Sequence, residues 1–182
     1  MLVLLTGTPG TGKSTLSELL VKELRGKLVK INQLVEEKNL YTGHDPEKGY
    51  LEVDLNALKR ELLRIVMQSF PEEEDFCIII EGHLSHYFPT ADLVIVLRTN
   101  PCVLEERLIK RGWDRAKIHE NLEAEALDVC TWEAFQIHGD TVHEMDTTII
   151  SPEEAVKQIL KIINGEKTFP VGNIDFTEFL ES

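Results

Sequence analysis

The sequence predicts an α/β fold, a parallel sheet of five strands between two layers of helices. Two observations predict it. Met1–Leu5 is a wholly apolar run, as a strand buried on both faces of a parallel sheet is, and it passes through a glycine-rich turn into a helical pattern. Further short apolar runs then alternate with stretches of helical periodicity, the order that strand–helix–strand crossovers produce. A length of 182 residues suits a single domain, 1–182, with a full core, and 42% hydrophobic residues is ordinary for such a chain.

The elements follow in order. Ser14 to Arg25 places Leu16, Leu19, Leu20, Val21 and Leu24 at helical spacing. Lys27 to Ile31 reads as the second strand, and Asn32 is the expected cap of a short helix to Asn39. Residues 41–52 contain Gly43, Pro46 and Gly49 and read as loop. Asp54 caps an amphipathic helix to about Ser69, with Leu55, Leu58, Leu62, Ile65 and Val66 inward. The acidic run Glu72–Asp75 reads as a solvated turn after Pro71. Phe76–Ile80 is the third strand and ends in Glu81-Gly82-His83; Leu93–Leu97 is the fourth. Asn100-Pro101 opens a helix in the favoured cap-then-proline order, and it stops near Gly112. One long helix is expected from Asp114 to His138, and a fifth strand over Val142–Met145. Ser151-Pro152-Glu153-Glu154 is a capping box that starts a helix to about Asn164. The tail, 165–182, lacks periodicity, but Phe169, Ile174, Phe176, Phe179 and Leu180 give it apolar groups that can dock on the body or on a partner.

The turn after the first strand carries the chemistry. Gly7-Thr8-Pro9-Gly10-Thr11-Gly12-Lys13-Ser14-Thr15 fits G-x-x-x-x-G-K-[S/T], the phosphate-binding P-loop, in the strand–loop–helix context the motif requires. Gly7, Gly10 and Gly12 let consecutive backbone N–H groups face inward as an anion nest, and the helix N-terminus adds partial positive charge. In this reading Gly10, Gly12, Lys13, Ser14 and Thr15 hold the phosphates of a nucleoside triphosphate, which the resemblance given below makes ATP. Lys13 brings a full charge to the β- and γ-phosphates, the Ser14 hydroxyl ligates Mg²⁺, and Thr15 reaches the α-phosphate.

Composition narrows the class. The net charge of −13 opposes direct, nonspecific binding of nucleic acid, and it suits a basic protein partner or simply solubility. No apolar run approaches the roughly 20 residues of a membrane span, and the first strand lacks the basic flank of a signal peptide. Cys77, Cys102 and Cys130 form no Cys-x-x-Cys pair and read as reduced core thiols, so a cytoplasmic location is expected.

A P-loop gives a ligand class and leaves the reaction open. The N-K-x-D and D-x-x-G patterns of GTPases are absent, and motor or helicase cores need a longer chain. A small kinase needs a lid and an acceptor site. Arg107 and Arg111, four apart, share a helix face, and Trp113, Asp114, Arg115 and Lys117 follow as a short charged segment. Positive charge at the transferring group and exclusion of water are what phosphoryl transfer requires. A kinase of a small metabolite such as shikimate or gluconate shares the same strand–loop–helix start.

Taken together, Gly7–Thr15, Val96-Leu97-Arg98-Thr99, Leu104-Glu105-Glu106-Arg107-Leu108, Lys110-Arg111-Gly112-Trp113 and Glu120-Asn121-Leu122-Glu123-Ala124-Glu125 resemble the small adenylate-kinase-like ATPases of archaea and the eukaryotic nucleus, the adenylate kinase isoenzyme 6 or CINAP-type group. The resemblance runs from residue 1 to about 163. It implies a three-layer P-loop NTPase fold of adenylate kinase type, reversible transfer of the terminal phosphate of ATP to AMP or another NMP with Mg²⁺, and ATPase activity. It also implies a role in late maturation of the small ribosomal subunit and its rRNA, through a ribosomal protein of the uS11 type. An NMP-binding region of about 32–53 and a lid of about 110–120 follow. Arg111 is then expected on the ATP phosphates and Arg107 by the adenine or the transferred group.

Two positions depart from the family pattern. Glu81-Gly82-His83 stands where the family has Asp-x-His. A carboxylate there holds Mg²⁺ through water, and His83 orients an attacking water; Glu81 is one methylene longer than the family's Asp. His83 and His86 have no third ligand nearby in sequence and are not read as a metal pair. The arginine that grips the AMP phosphate in many relatives is replaced by Glu36. Lys38 lacks the two-pronged grip of arginine, so the weight of ATP hydrolysis rises.

Overall fold

A computed structural model of the chain describes residues 1–45, 50–69 and 76–181. Five strands form one parallel sheet: β1 (Leu2–Thr6), β2 (Lys27–Lys30), β5 (Ile78–Glu81), β6 (Leu93–Arg98) and β7 (Val142–Asp146), in the order β2-β5-β1-β6-β7. Side chains alternate across β1. Leu2 and Leu4 face a core with Leu34, Val35, Leu58, Leu62 and Val66, whereas Val3 and Leu5 face one with Leu16, Leu20, Ile159 and Ile162. Helices α2 (Ile31–Lys38), α3 (Leu55–Ser69) and α6 (Val129–His138) thus cover one face, and α1 (Lys13–Glu23) and α7 (Pro152–Ile163) the other. Helices α4 (Pro101–Lys110) and α5 (Arg115–Ala126) close on each other through Leu104, Leu108, Ile118 and Leu122. The expected three-layer α/β class is the observed one.

Strand and helix ends follow local chemistry. Asp54 accepts hydrogen bonds from Asn56 N at 3.0 Å and Ala57 N at 2.9 Å, and Asn100 and Ser151 cap α4 and α7 through their side chains.

Four expectations need correction. The segment 41–52 was expected to be loop, but β3 (Tyr41–Asp45) and β4 (Tyr50–Val53) pair antiparallel, with a register shift between Tyr41 and Gly43. Tyr41, Tyr50, Leu51 and Val53 are good strand formers, and Gly43 sits where the ladder is irregular. Asn32 does not cap α2: the helix opens directly from β2 with Lys30 in the cap position, because Ile31 is drawn into the core. The single helix 114–138 is two, α5 and α6, broken at Leu127-Asp128, where Asp128 adopts φ +55° and pairs with Arg98. Of the three thiols Cys77 is buried, Cys130 is half-buried and Cys102 is exposed. The Glu72–Asp75 turn lies outside the described residues.

The tail docks on the body. Phe169 packs beside the α1/α7 core, and its carbonyl accepts from Glu144 N at 2.9 Å; Phe179 packs on the α4/α5 cluster. Among the described residues no helix is long and apolar enough to cross a membrane.

Candidate active site

The P-loop joins the C-terminal end of β1 to the N-terminus of α1, at the centre of the sheet. Backbone geometry explains its glycines at two points. Gly7 has φ +129°, and Gly10 has φ +101° with Leu104 Cδ1 only 2.6 Å from where a Cβ would lie. The loop is floored by Thr147, whose hydroxyl donates to Thr11 O at 2.9 Å.

Lys13 is buried, and its Nζ donates to Gly7 O at 2.8 Å and Thr8 O at 2.9 Å. Burial lowers its pKa from 10.5 to about 8. The ammonium therefore rests on the loop's own carbonyls. Ser14 and Thr15 are exposed and line a cleft of about 830 Å³ together with Gly10, Gly12, Glu81, His83 and Arg111.

Glu81 ends β5, next to β1, and is buried. The Ser14 hydroxyl donates to Glu81 Oε1 at 3.3 Å. A hydroxyl and a carboxylate side by side next to the phosphate loop are an oxygen donor set suited to Mg²⁺, and the extra methylene of Glu81 does not prevent the approach. His83 is half-buried in the same cleft, and burial, then Lys13, lower its pKa to about 4, so it is a neutral imidazole at neutral pH. His86 is engaged elsewhere: its Nδ1 is 2.7 Å from Thr6 Oγ1 and its Nε2 is 3.1 Å from Glu133 Oε2. Among the described residues no group of three or more His, Cys, Asp or Glu is arranged to hold a metal ion.

The two arginines part company. Arg111, at the C-terminal end of α4, is exposed and lines the cleft beside Trp113 and Lys117, whose ammonium stands 4.4 Å over the Trp113 ring. Arg107 does not line the cleft. Its guanidinium donates to Thr147 O at 3.0 Å, Thr99 Oγ1 at 3.2 Å and Gly10 O at 3.4 Å, and so fastens α4 to the back of the loop. On the opposite side, Asn32, Val35, Glu36, Leu51 and Val53 bring α2 and the β3–β4 hairpin to the cleft. Arg111 is the only arginine among its described lining residues, and Glu36 and Glu133 line it as well.

Sequence reasoning missed a buried ionic cluster beneath the loop. Arg98 Nε donates to Glu125 Oε1 at 2.9 Å, and the guanidinium also pairs with Glu144 and Asp128. Thr8 Oγ1 donates to Glu125 Oε2. A charged residue ending the apolar run of β6 was the available signal.

The chain resembles known proteins along nearly its whole length. The family model described as "AAA domain" matches residues 3–128. A protein of Methanothermobacter thermautotrophicus named "Putative adenylate kinase" is 44% identical over 98% of this chain and 99% of its own. One of Natronomonas pharaonis with the same name is 42% identical over 99% and 100%. Among solved structures, thymidylate kinase from Candida albicans superposes with a TM-score of 0.59 at 17% identity, over 90% of this chain and 91% of its own, a likeness of fold alone. The chain therefore belongs to the AAA-domain family, and within it to the family of phosphotransferase enzymes whose archaeal members carry the adenylate kinase name.

Proposed function

We propose that this protein is a nucleoside monophosphate kinase of adenylate kinase type, which reversibly moves the terminal phosphate of ATP to AMP and also hydrolyses ATP. The observation that carries the reading is the convergence at one cleft of Lys13 on the loop carbonyls, Ser14 against Glu81, and Arg111 at the rim. The names of the relatives point the same way.

In this reading the loop amides and Lys13 hold the β- and γ-phosphates, and Gly10, Gly12, Ser14 and Thr15 complete the cradle. Mg²⁺, held by Ser14 and through water by Glu81, would neutralise charge between the two phosphates. Arg111 comes to the transferring group when the lid, 110–120, closes and excludes water. Arg107 keeps α4, from whose end the lid extends, fastened to the loop. The acceptor binds over 32–53. His83, neutral at physiological pH, orients a water that attacks when no acceptor is present.

A second reading has its own observation. The described acceptor side offers Glu36 where a phosphate-gripping arginine is expected, and the chain carries a net charge of −13. Both favour a basic protein over a phosphate monoester. In that reading the protein is chiefly an ATP-driven assembly factor in small-subunit and rRNA maturation, acting on a ribosomal protein of the uS11 type.

The two are separated by ADP formation from MgATP alone, with AMP, and with other NMPs or small metabolites as acceptors. The kinase reading expects AMP to raise turnover well above hydrolysis, and His83→Ala to reduce hydrolysis more than transfer. Turnover indifferent to AMP but raised by the ribosomal protein selects the second reading.

A further inference from the structure

We infer that Glu125 is a positioning residue for the phosphate loop, and that the C-terminal segment 165–181 completes the buried charge cluster that holds it. The inference rests on reading the cleft as a nucleotide site.

Glu125 lies on the buried side of α5, whose other turns bring Lys117 and Asn121 to the cleft. One carboxylate oxygen accepts from the Thr8 hydroxyl. The other accepts from Arg98 Nε and from Thr99 N, each at 2.9 Å. The carbonyl of that same Thr8 is one of the two acceptors of Lys13. Wherever Glu125 holds Thr8, it therefore sets the seat of the lysine that meets the phosphates.

The cluster has one guanidinium for three side-chain carboxyl groups. Arg98 serves three carboxylates, those of Glu125, Glu144 and Asp128, and Arg98, Glu125 and Glu144 are almost wholly buried. Buried carboxylates need donors beyond one shared guanidinium. Thr131 Oγ1 gives one to Glu144 at 3.2 Å. The tail gives another, Gly172 N to Glu144 Oε2 at 3.0 Å, and it accepts from the Glu144 backbone N–H through Phe169 O at 2.9 Å. The Phe176 ring covers the guanidinium, with Arg98 Cζ 5.3 Å from its centroid, and shields it from water. Polar contacts thus run without a gap from the tail through Glu144, Arg98 and Glu125 to Thr8. If the tail's donor and ring are lost, Glu144 and Arg98 turn to water, and Arg98 loosens its hold on Glu125.

Amide hydrogen exchange of Gly10 to Lys13 in the ligand-free protein tests this, using Phe176→Leu, Glu125→Gln and the double variant. Each single change is expected to speed exchange in the loop about tenfold, with the double variant no faster than the quicker single. Phe176→Tyr should restore the wild-type rate. The Kd for MgATP should rise in parallel, with kcat at saturation much less affected. Unchanged loop exchange in Phe176→Leu, or single effects that multiply in the double variant, would overturn the inference. Should Glu125→Gln not fold, Thr8→Val removes the same hydrogen bond from the loop side and takes its place in the cycle. A wild-type protein that binds no MgATP defeats the nucleotide reading, and the exchange cycle still decides the coupling.

Discussion

Lys13 shows how one side chain carries both an expectation and a measurable signature. Its ammonium is buried against two carbonyls, and burial brings its pKa to about 8. A triphosphate placed beside it raises that pKa again, because opposite charge favours the protonated form. MgATP binding is therefore expected to be independent of pH below about 8. Above it binding should take up a proton and weaken, at most about tenfold per pH unit. Calorimetry at pH 9 in buffers of different ionisation heat reads the uptake directly, and Lys13→Ala should abolish both uptake and turnover. Equal heats in all buffers would remove Lys13 from the phosphates. At this scale the sequence was legible where the contacts are local. Gly7 to Thr15 form one continuous motif, and Ser14 meets Glu81 because the loop after β1 sets the first turn of α1 beside the end of the neighbouring strand β5. Arg98 was not legible as a hub. Its partners lie at Glu125, Asp128 and Glu144, and only the tertiary fold brings them to it.

Elements were legible wherever the period was long or the cap explicit. Helix α3 combines the Asp54 cap with Leu58, Leu62 and Val66 on its buried side, and its observed span matches the expected one. Asp54→Ala removes two capping hydrogen bonds, and a loss of about 1 kcal/mol is expected from denaturant unfolding. A loss of a few tenths or less would mean that packing alone holds the start of α3. The sequence of the β3–β4 hairpin reads as loop because Gly43, Pro46 and Gly49 outweigh the strand formers around them. The α5–α6 break was invisible because Leu127-Asp128 carries neither glycine nor proline. The turn is imposed by the pull of Arg98 on Asp128, at a residue type that tolerates positive φ better than most.

For the molecule as a whole, the alternation of strands and helices gave the layer architecture, but nothing local encodes the order β2-β5-β1-β6-β7. One buried and two half-buried histidines give the fold a common acid sensitivity. Burial lowers the pKa of His83 to about 4 and holds His86 and His143 below their ordinary value. A histidine with a depressed folded pKa contributes stability that is complete above about pH 6.5 and declines as the pH falls through the folded value. Thermal melts at pH 7, 6 and 5 should show a falling midpoint, and His83→Ala should flatten the fall. A midpoint constant over that range would mean that protonated imidazoles are tolerated in the fold. The sheet order has one more consequence. Strand β1, first in the chain, borders only β5 and β6, whose partners span residues 78–96. A nascent polypeptide must therefore be synthesised past its midpoint before the Gly7–Thr15 loop has walls. In the proposed reading, binding competence then arrives late in translation, although the loop's own residues are among the first to emerge.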